Sequence, residues 1–150
     1  MKVVLERLYG AQFKATNEAG QSIALAAGPD IGPSDSGLRP MQALLGSLAG
    51  CASIDVLNIL QKQKHRIDKL EVHVDAERAD AVPAVFTKIH MRFVAAGDFP
   101  LHKLERAVAL SAEKYCSVSF MLRPTVAITH SAELVASDAI EDVAGPRPEG

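Results

Sequence analysis

The sequence has no tryptophan, two tyrosines and five phenylalanines, so aromatic residues fill only 5% of its 150 positions. It also has little charge of one sign: sixteen Lys and Arg against eighteen Asp and Glu leave a formal net charge of −2. Without a Lys/Arg-rich block interleaved with aromatics, a nucleic-acid reader is disfavoured, and so is a membrane-surface helix. CxxC and HExxH are missing and the five histidines are scattered, so no metal site of ordinary spacing is expected. Neither GxGxxG nor GxxxxGK[ST] occurs. The opening Met1-Lys2-Val3-Val4-Leu5-Glu6-Arg7 lacks the apolar stretch of a secretory signal, which sets the expectation of a cytoplasmic protein.

What is present is 48% hydrophobic residues, enough for one compact soluble domain, expected over 1–137, with a polar tail over 138–150. The two cysteines, Cys51 and Cys116, stand 65 positions apart. With no secretion signal, a purely structural disulfide is the weaker reading, and a reactive pair stays open.

Short strands are expected at Val3 to Tyr9, Gln12 to Thr16 and Ser22 to Leu25, with turns at Gly10 and at Asn17 to Gly20. The Pro- and Gly-rich stretch from Gly28 to Pro40 reads as a surface loop, long enough to be functional, feeding a helix with Pro40 in its first turn. From Pro40 to about Lys64 apolar residues fall on nearly every side, which predicts a helix buried all round. A transmembrane span is disfavoured by Gln42, Asp55 and Asn58 within the run. A 150-residue domain has limited material to wrap such a helix, so burial by a second copy is expected, that is, a homodimer. Period-two alternation at Leu70 to Glu77 and Phe86 to Val94, with Ala81-Val82-Pro83 as the turn, predicts a long hairpin. Helical spacing from Leu101 to Tyr115, a short helix over Cys116 to Leu122 and a strand at Thr125 to His130 complete the chain.

Cys51 lies mid-helix among Gly46, Ser47, Gly50, Ala52 and Ser53. Glycine within a helix costs roughly 0.5 to 1 kcal/mol relative to alanine, so two of them four apart suggest a close approach by another backbone or a ligand. Taken alone, Cys51 fits a buried small hydrophobe as well as a reactive thiol. Asp55, one turn on, would raise its pKa, so activation would require a cation. Cys116 sits where one helix ends and another begins, and a helix N-terminus lends a cysteine thiolate character. Tyr115 reads first as an amphipathic core residue. The five histidines receive no role.

The segment Pro40-Met41-Gln42-Ala43-Leu44-Leu45-Gly46-Ser47-Leu48-Ala49-Gly50-Cys51-Ala52-Ser53-Ile54-Asp55-Val56 resembles the P-x-E-L-L-x-A-S-L-G-G-C-x-x-x-D-V helix of the osmotically inducible protein C and organic hydroperoxide resistance (OsmC/Ohr) family. Lys114-Tyr115-Cys116-Ser117-Val118-Ser119 is similar to its K-Y-C-P-V-S signature, and Glu77-Arg78-Ala79, Pro83 and Val85 to Ile89 resemble the hairpin of its OsmC-like branch. The resemblance spans Val3 to His130. It implies an α+β fold with antiparallel sheets around a long buried central helix, in an intertwined homodimer with active sites at the subunit interface.

By the same resemblance Cys51 matches the peroxidatic and Cys116 the resolving cysteine of a peroxidase that needs no cofactor and no metal. Its implied partners are an organic hydroperoxide and an external dithiol, for instance a lipoyl group. Arg39 and Arg78 are the candidates for the activating arginine, and Gln42, Leu48, Asp55 and Tyr115 for contacts to substrate. Two departures stand out: Gln42 replaces the family's glutamate, and Ser117 replaces the proline after the second cysteine. The rival expectation is a non-catalytic stress or binding protein that keeps the dimer and an apolar interface pocket. A third is an intracellular domain in which both cysteines only pack.

Overall fold

Alternation and two turn glycines set the first sheet. In the computed structural model, which describes residues 1–28, 31 and 37–140, β1 (Val3–Tyr9), β2 (Gln12–Asn17) and β3 (Ser22–Ala26) form an antiparallel meander in that order. Gly10 and Gly20 take φ of 53° and 83° at the two turns, a left-handed region open to residues without a Cβ. Asn17 Oδ1 accepts the N–H groups of Ala19 and Gln21 at 3.0 Å each, closing the second turn. Every residue of β1 is exposed in the single chain, the apolar Val3, Val4, Leu5, Leu8 and Tyr9 included. The functional loop expected over Gly28 to Pro40 lies largely outside the described residues.

Helix α1 spans Pro40–Lys62. Arg39 precedes it as the cap residue, and Gln42 Oε1 reaches back to accept the Arg39 N–H at 3.0 Å. That is the reciprocal half of a capping box, with Pro40 in the position where a missing N–H costs nothing. At the other end Lys64 adopts φ 62°. The His65 N–H then bonds Leu60 O at 3.0 Å and the Lys64 N–H bonds Gln61 O at 2.9 Å, a Schellman closure built without glycine.

The chain divides into two compact units, Met1–Ser47 and the residues from Leu48 onward. Within the second, α1 buries Leu48, Ala52, Val56 and Leu60, one stripe at a spacing of four. Ile54 remains 61% exposed. Among the described residues, full burial is confined to that one stripe of the helix rather than reaching all of its faces. The helix is long and apolar enough to cross a membrane by length and composition, yet that stripe is fully covered by protein.

The hairpin runs through β4 (Ile67–Arg78) and β5 (Phe86–Gly97), antiparallel, with Leu70 opposite Ala95 and Val74 opposite Met91. Ile89, Met91 and Phe93 point to the core while Lys88 and Arg92 stay exposed, the alternation that the sequence shows. The last strand, β6 (Ala127–Leu134), adds to β5 in parallel, Ile89 opposite Ile128. This departs from the all-antiparallel expectation. A parallel neighbour needs a crossover rather than a turn, and the segment between β5 and β6 supplies it with helices.

That crossover comprises α2 (Leu101–Leu110), a π-helical turn at Ser111–Tyr115 and α3 (Ser117–Leu122). A single helix to Tyr115 was expected; instead the last turn widens, and the Cys116 N–H bonds Ser111 O at 2.9 Å. After β6 the chain stays packed: Ile140 is buried with Val94 and Ala96, and Lys69 Nζ donates to its carbonyl at 2.7 Å. The remainder of the expected tail, 141–150, lies outside the described residues.

Candidate thiol site

Cys51 and Asp55 are four residues apart on α1 and so share one face of the helix. Cys116 arrives from the crossover, at the junction between the π-turn and α3. The Sγ of Cys51, the Sγ of Cys116 and a carboxylate oxygen of Asp55 all lie within 4.8 Å of one another. Both cysteines are free thiols, Cys51 half-buried and Cys116 without exposure. The structure thus joins three of the residues singled out in the sequence.

A fourth residue, not singled out, holds them in place. Ser111 is fully buried, and its Oγ lies 3.1 Å from Asp55 Oδ2 and 3.3 Å from Ala52 O. Its own carbonyl accepts the Cys116 N–H. One serine therefore links α1, next to Cys51, with the turn that presents Cys116. Its sequence signal is faint: a small polar residue continuing an apolar helical face, five positions before a cysteine.

Cys116 caps α3, its Sγ accepting the Ser119 N–H at 3.4 Å. On the other side Sγ lies 4.0 Å from Leu48 O. Burial pushes this thiol from the ordinary 9.0 up to about 11, and its hydrogen bond with Cys51 and the charges of Cys51 and Asp55 push the same way. The Ser119 N–H opposes them and loses. The thiolate character expected from a helix N-terminus is overturned: a six-residue helix offers one N–H, and desolvation outweighs it. Cys116 is a protonated thiol at neutral pH.

The remaining residues carry other duties. Gln42 is exposed at the start of α1 and engaged in capping. The Arg39 guanidinium lies beside Gly28, 3.6 Å from where a Cβ there would stand. Arg78 Nε donates to Ala84 O at 2.7 Å, bracing the β4–β5 connection. Leu48 is completely buried, so it offers the site its carbonyl rather than an open apolar side chain. Tyr115 is 49% exposed, against the core role read from its position, with Lys114 Nζ 5.3 Å from its ring centre. A Cβ built on Gly46 or Gly50 meets nothing within 4 Å among the described residues. The close approach those glycines suggest is not made among the described residues.

Residues 32–131 match the family described as OsmC-like protein. Protein YhfA of Escherichia coli K12 is 38% identical over 138 residues, which cover 91% of this chain and all of YhfA. A hypothetical protein from Aquifex aeolicus, known as a crystal structure, is 31% identical with a TM-score of 0.79, over 91% of this chain and 96% of that one. The organic hydroperoxide resistance protein OhrB of Bacillus subtilis shares the fold at a TM-score of 0.58 and 21% identity, over 89% and 96% of the two chains.

Proposed function

This chain belongs to the OsmC-like family, and from that premise we propose that it is a thiol-dependent peroxidase that reduces organic hydroperoxides through Cys51 and Cys116. The observation that carries the reading is the approach of two free sulfurs, 65 positions apart in the chain, to within 4.8 Å. Cys51 is the partly exposed member and Cys116 the buried, protonated one, which suits attack by the first and resolution by the second.

The Cys51 thiolate attacks the outer oxygen of the hydroperoxide, the O–O bond breaks, and the alkoxide leaves as an alcohol after taking a proton. Cys51 is left as a sulfenic acid. The Cys116 sulfur then displaces its hydroxyl, forming the disulfide and releasing water. An external dithiol, for which a lipoyl group has the right chemistry, reduces the disulfide by two exchanges and departs oxidised. Asp55 and Ser111 keep the two sulfurs in register through these steps. The cytoplasm, where dithiol reductants keep such pairs reduced, is the setting that fits the cycle.

OsmC and Ohr proteins are commonly dimeric, and a homodimer here accounts for three features at once. The exposed apolar β1, the uncovered faces of α1 and the open strip at Gly46 and Gly50 all call for cover from a second copy. Arg39 or Arg78 remains the proposed source of positive charge for Cys51, and the substrate's alkyl chain would lie at the subunit interface.

A second reading keeps the dimer and drops the catalysis. It is favoured by Gln42, a neutral amide already committed to the helix cap where the family pattern carries a charge. The two are separated by peroxide consumption with excess dithiol, cumene hydroperoxide against hydrogen peroxide. Preferential loss of the organic peroxide supports the enzyme, whereas a rate equal to that of free dithiol rejects it for those substrates.

A further inference from the structure

We propose that Cys51, Asp55 and Cys116 form a binding site for one thiophilic divalent cation of the zinc class, with two sulfur ligands and one carboxylate oxygen. The proposal stands on the three ligand atoms and holds whether or not the thiols reduce a peroxide. Zinc takes thiolate sulfur at about 2.3 Å and carboxylate oxygen at about 2.0 to 2.2 Å, so tetrahedral ligands sit about 3 to 4 Å apart. Here the three candidate atoms already lie within 4.8 Å of one another. Closing on an ion needs a shift of about an ångström, within the reach of side-chain rotation.

Two features make the cluster more than a coincidence of proximity. The ligands come from two segments joined by Ser111, whose hydroxyl bonds Asp55 Oδ2 and whose carbonyl bonds the Cys116 N–H. An outer hydrogen bond to a ligating carboxylate is the arrangement that fixes its orientation at metal centres. Cys51, in turn, is only half-buried, so the sulfur is not sealed off within the single chain. Two soft sulfurs with one oxygen favour zinc or cadmium over magnesium or calcium. On binding, each thiol releases its proton to solvent and the carboxylate enters as the anion. The spacing of the ligands hides the site from sequence motifs, because only Cys51 and Asp55 are near neighbours in the chain.

The test uses the full-length reduced protein, titrated calorimetrically with Zn2+ and followed in the ultraviolet with Cd2+, whose charge-transfer band grows with each sulfur bound. The expected result is one ion per chain, a band with the intensity of two sulfurs on one cadmium, and no heat from Mg2+. Cys51→Ser and Cys116→Ser should each weaken binding at least tenfold and halve the band. Asp55→Asn should weaken binding about tenfold while the full band remains. Absence of stoichiometric Zn2+ uptake by the wild type overturns the site, as does a one-sulfur band, and neither readout depends on whether a variant folds. Unchanged affinity in Asp55→Asn overturns the three-ligand arrangement, reducing it to a two-thiol adduct.

Discussion

Ser111 Oγ stands 3.1 Å from Asp55 Oδ2, and through that contact the turn presenting Cys116 is fastened to the helix that carries Cys51. The hydroxyl is fully buried, so no water replaces it when it is removed. Ser111→Ala should therefore cost about 1 to 3 kcal/mol of stability, read from urea denaturation under reducing conditions. It should also slow disulfide formation after one equivalent of peroxide. An unchanged disulfide rate would show that Ser111 serves the fold alone.

The two cysteines should fail differently when replaced. Cys51→Ser removes the proposed nucleophile and should abolish turnover of cumene hydroperoxide. Cys116→Ser should consume one equivalent and stop, with a sulfenic acid on Cys51 that dimedone traps and mass spectrometry locates. Trapping on Cys116 in the other variant would reverse the assignment.

Gln42 allows stability and catalysis to be read apart. Gln42→Glu retains the side-chain acceptor for the Arg39 N–H and places an anion in the first turn of α1, which the helix dipole favours. Melting temperature should hold or rise slightly, and peroxide reduction should accelerate. Gln42→Ala should lose about 0.5 to 1 kcal/mol with the cap. No rate change in Gln42→Glu would strengthen the non-catalytic reading.

The raised thiol of Cys116 has a pH signature. Its folded pKa, about 11, exceeds the ordinary 9.0, so between those values the unfolded chain has released a proton that the folded chain still holds. The associated stability is complete below pH 9 and is lost as pH climbs toward 11, by on the order of 2 kcal/mol. Urea midpoints of the reduced wild type at pH 8 and pH 10.5 should differ more than those of Cys116→Ala. Parallel behaviour of the two proteins would place the titration elsewhere.

Strand and helix positions were legible because local pattern decides them: alternation at Phe86 to Val94, glycine at the β1–β2 turn, proline at the start of α1. The parallel pairing of β6 was not, since the residues of Ala127–Leu134 alternate alike for either direction and only the crossover settles which is adopted. The π-turn was equally hidden, because nothing in the composition of Ser111 to Tyr115 distinguishes a widened turn from a continued α-helix. At the site, the two cysteines and Asp55 were visible as residue types. Their meeting depends on tertiary contacts, and so does the role of Ser111. Gln42 was visible as a departure from a motif but not as a cap, a distinction that rests on one backbone N–H.

The long stretch of chain between the two free sulfurs couples redox state to conformational entropy. Joining Cys51 to Cys116 would close a loop spanning 65 positions and remove about 4 kcal/mol of freedom from the unfolded ensemble. By thermodynamic linkage the folded chain favours its own oxidation by the same amount, and a reductant must work against the fold as well as against the sulfur–sulfur bond. Each catalytic cycle would then alternate between a more and a less stable protein, with the thiol form the more readily unfolded of the two.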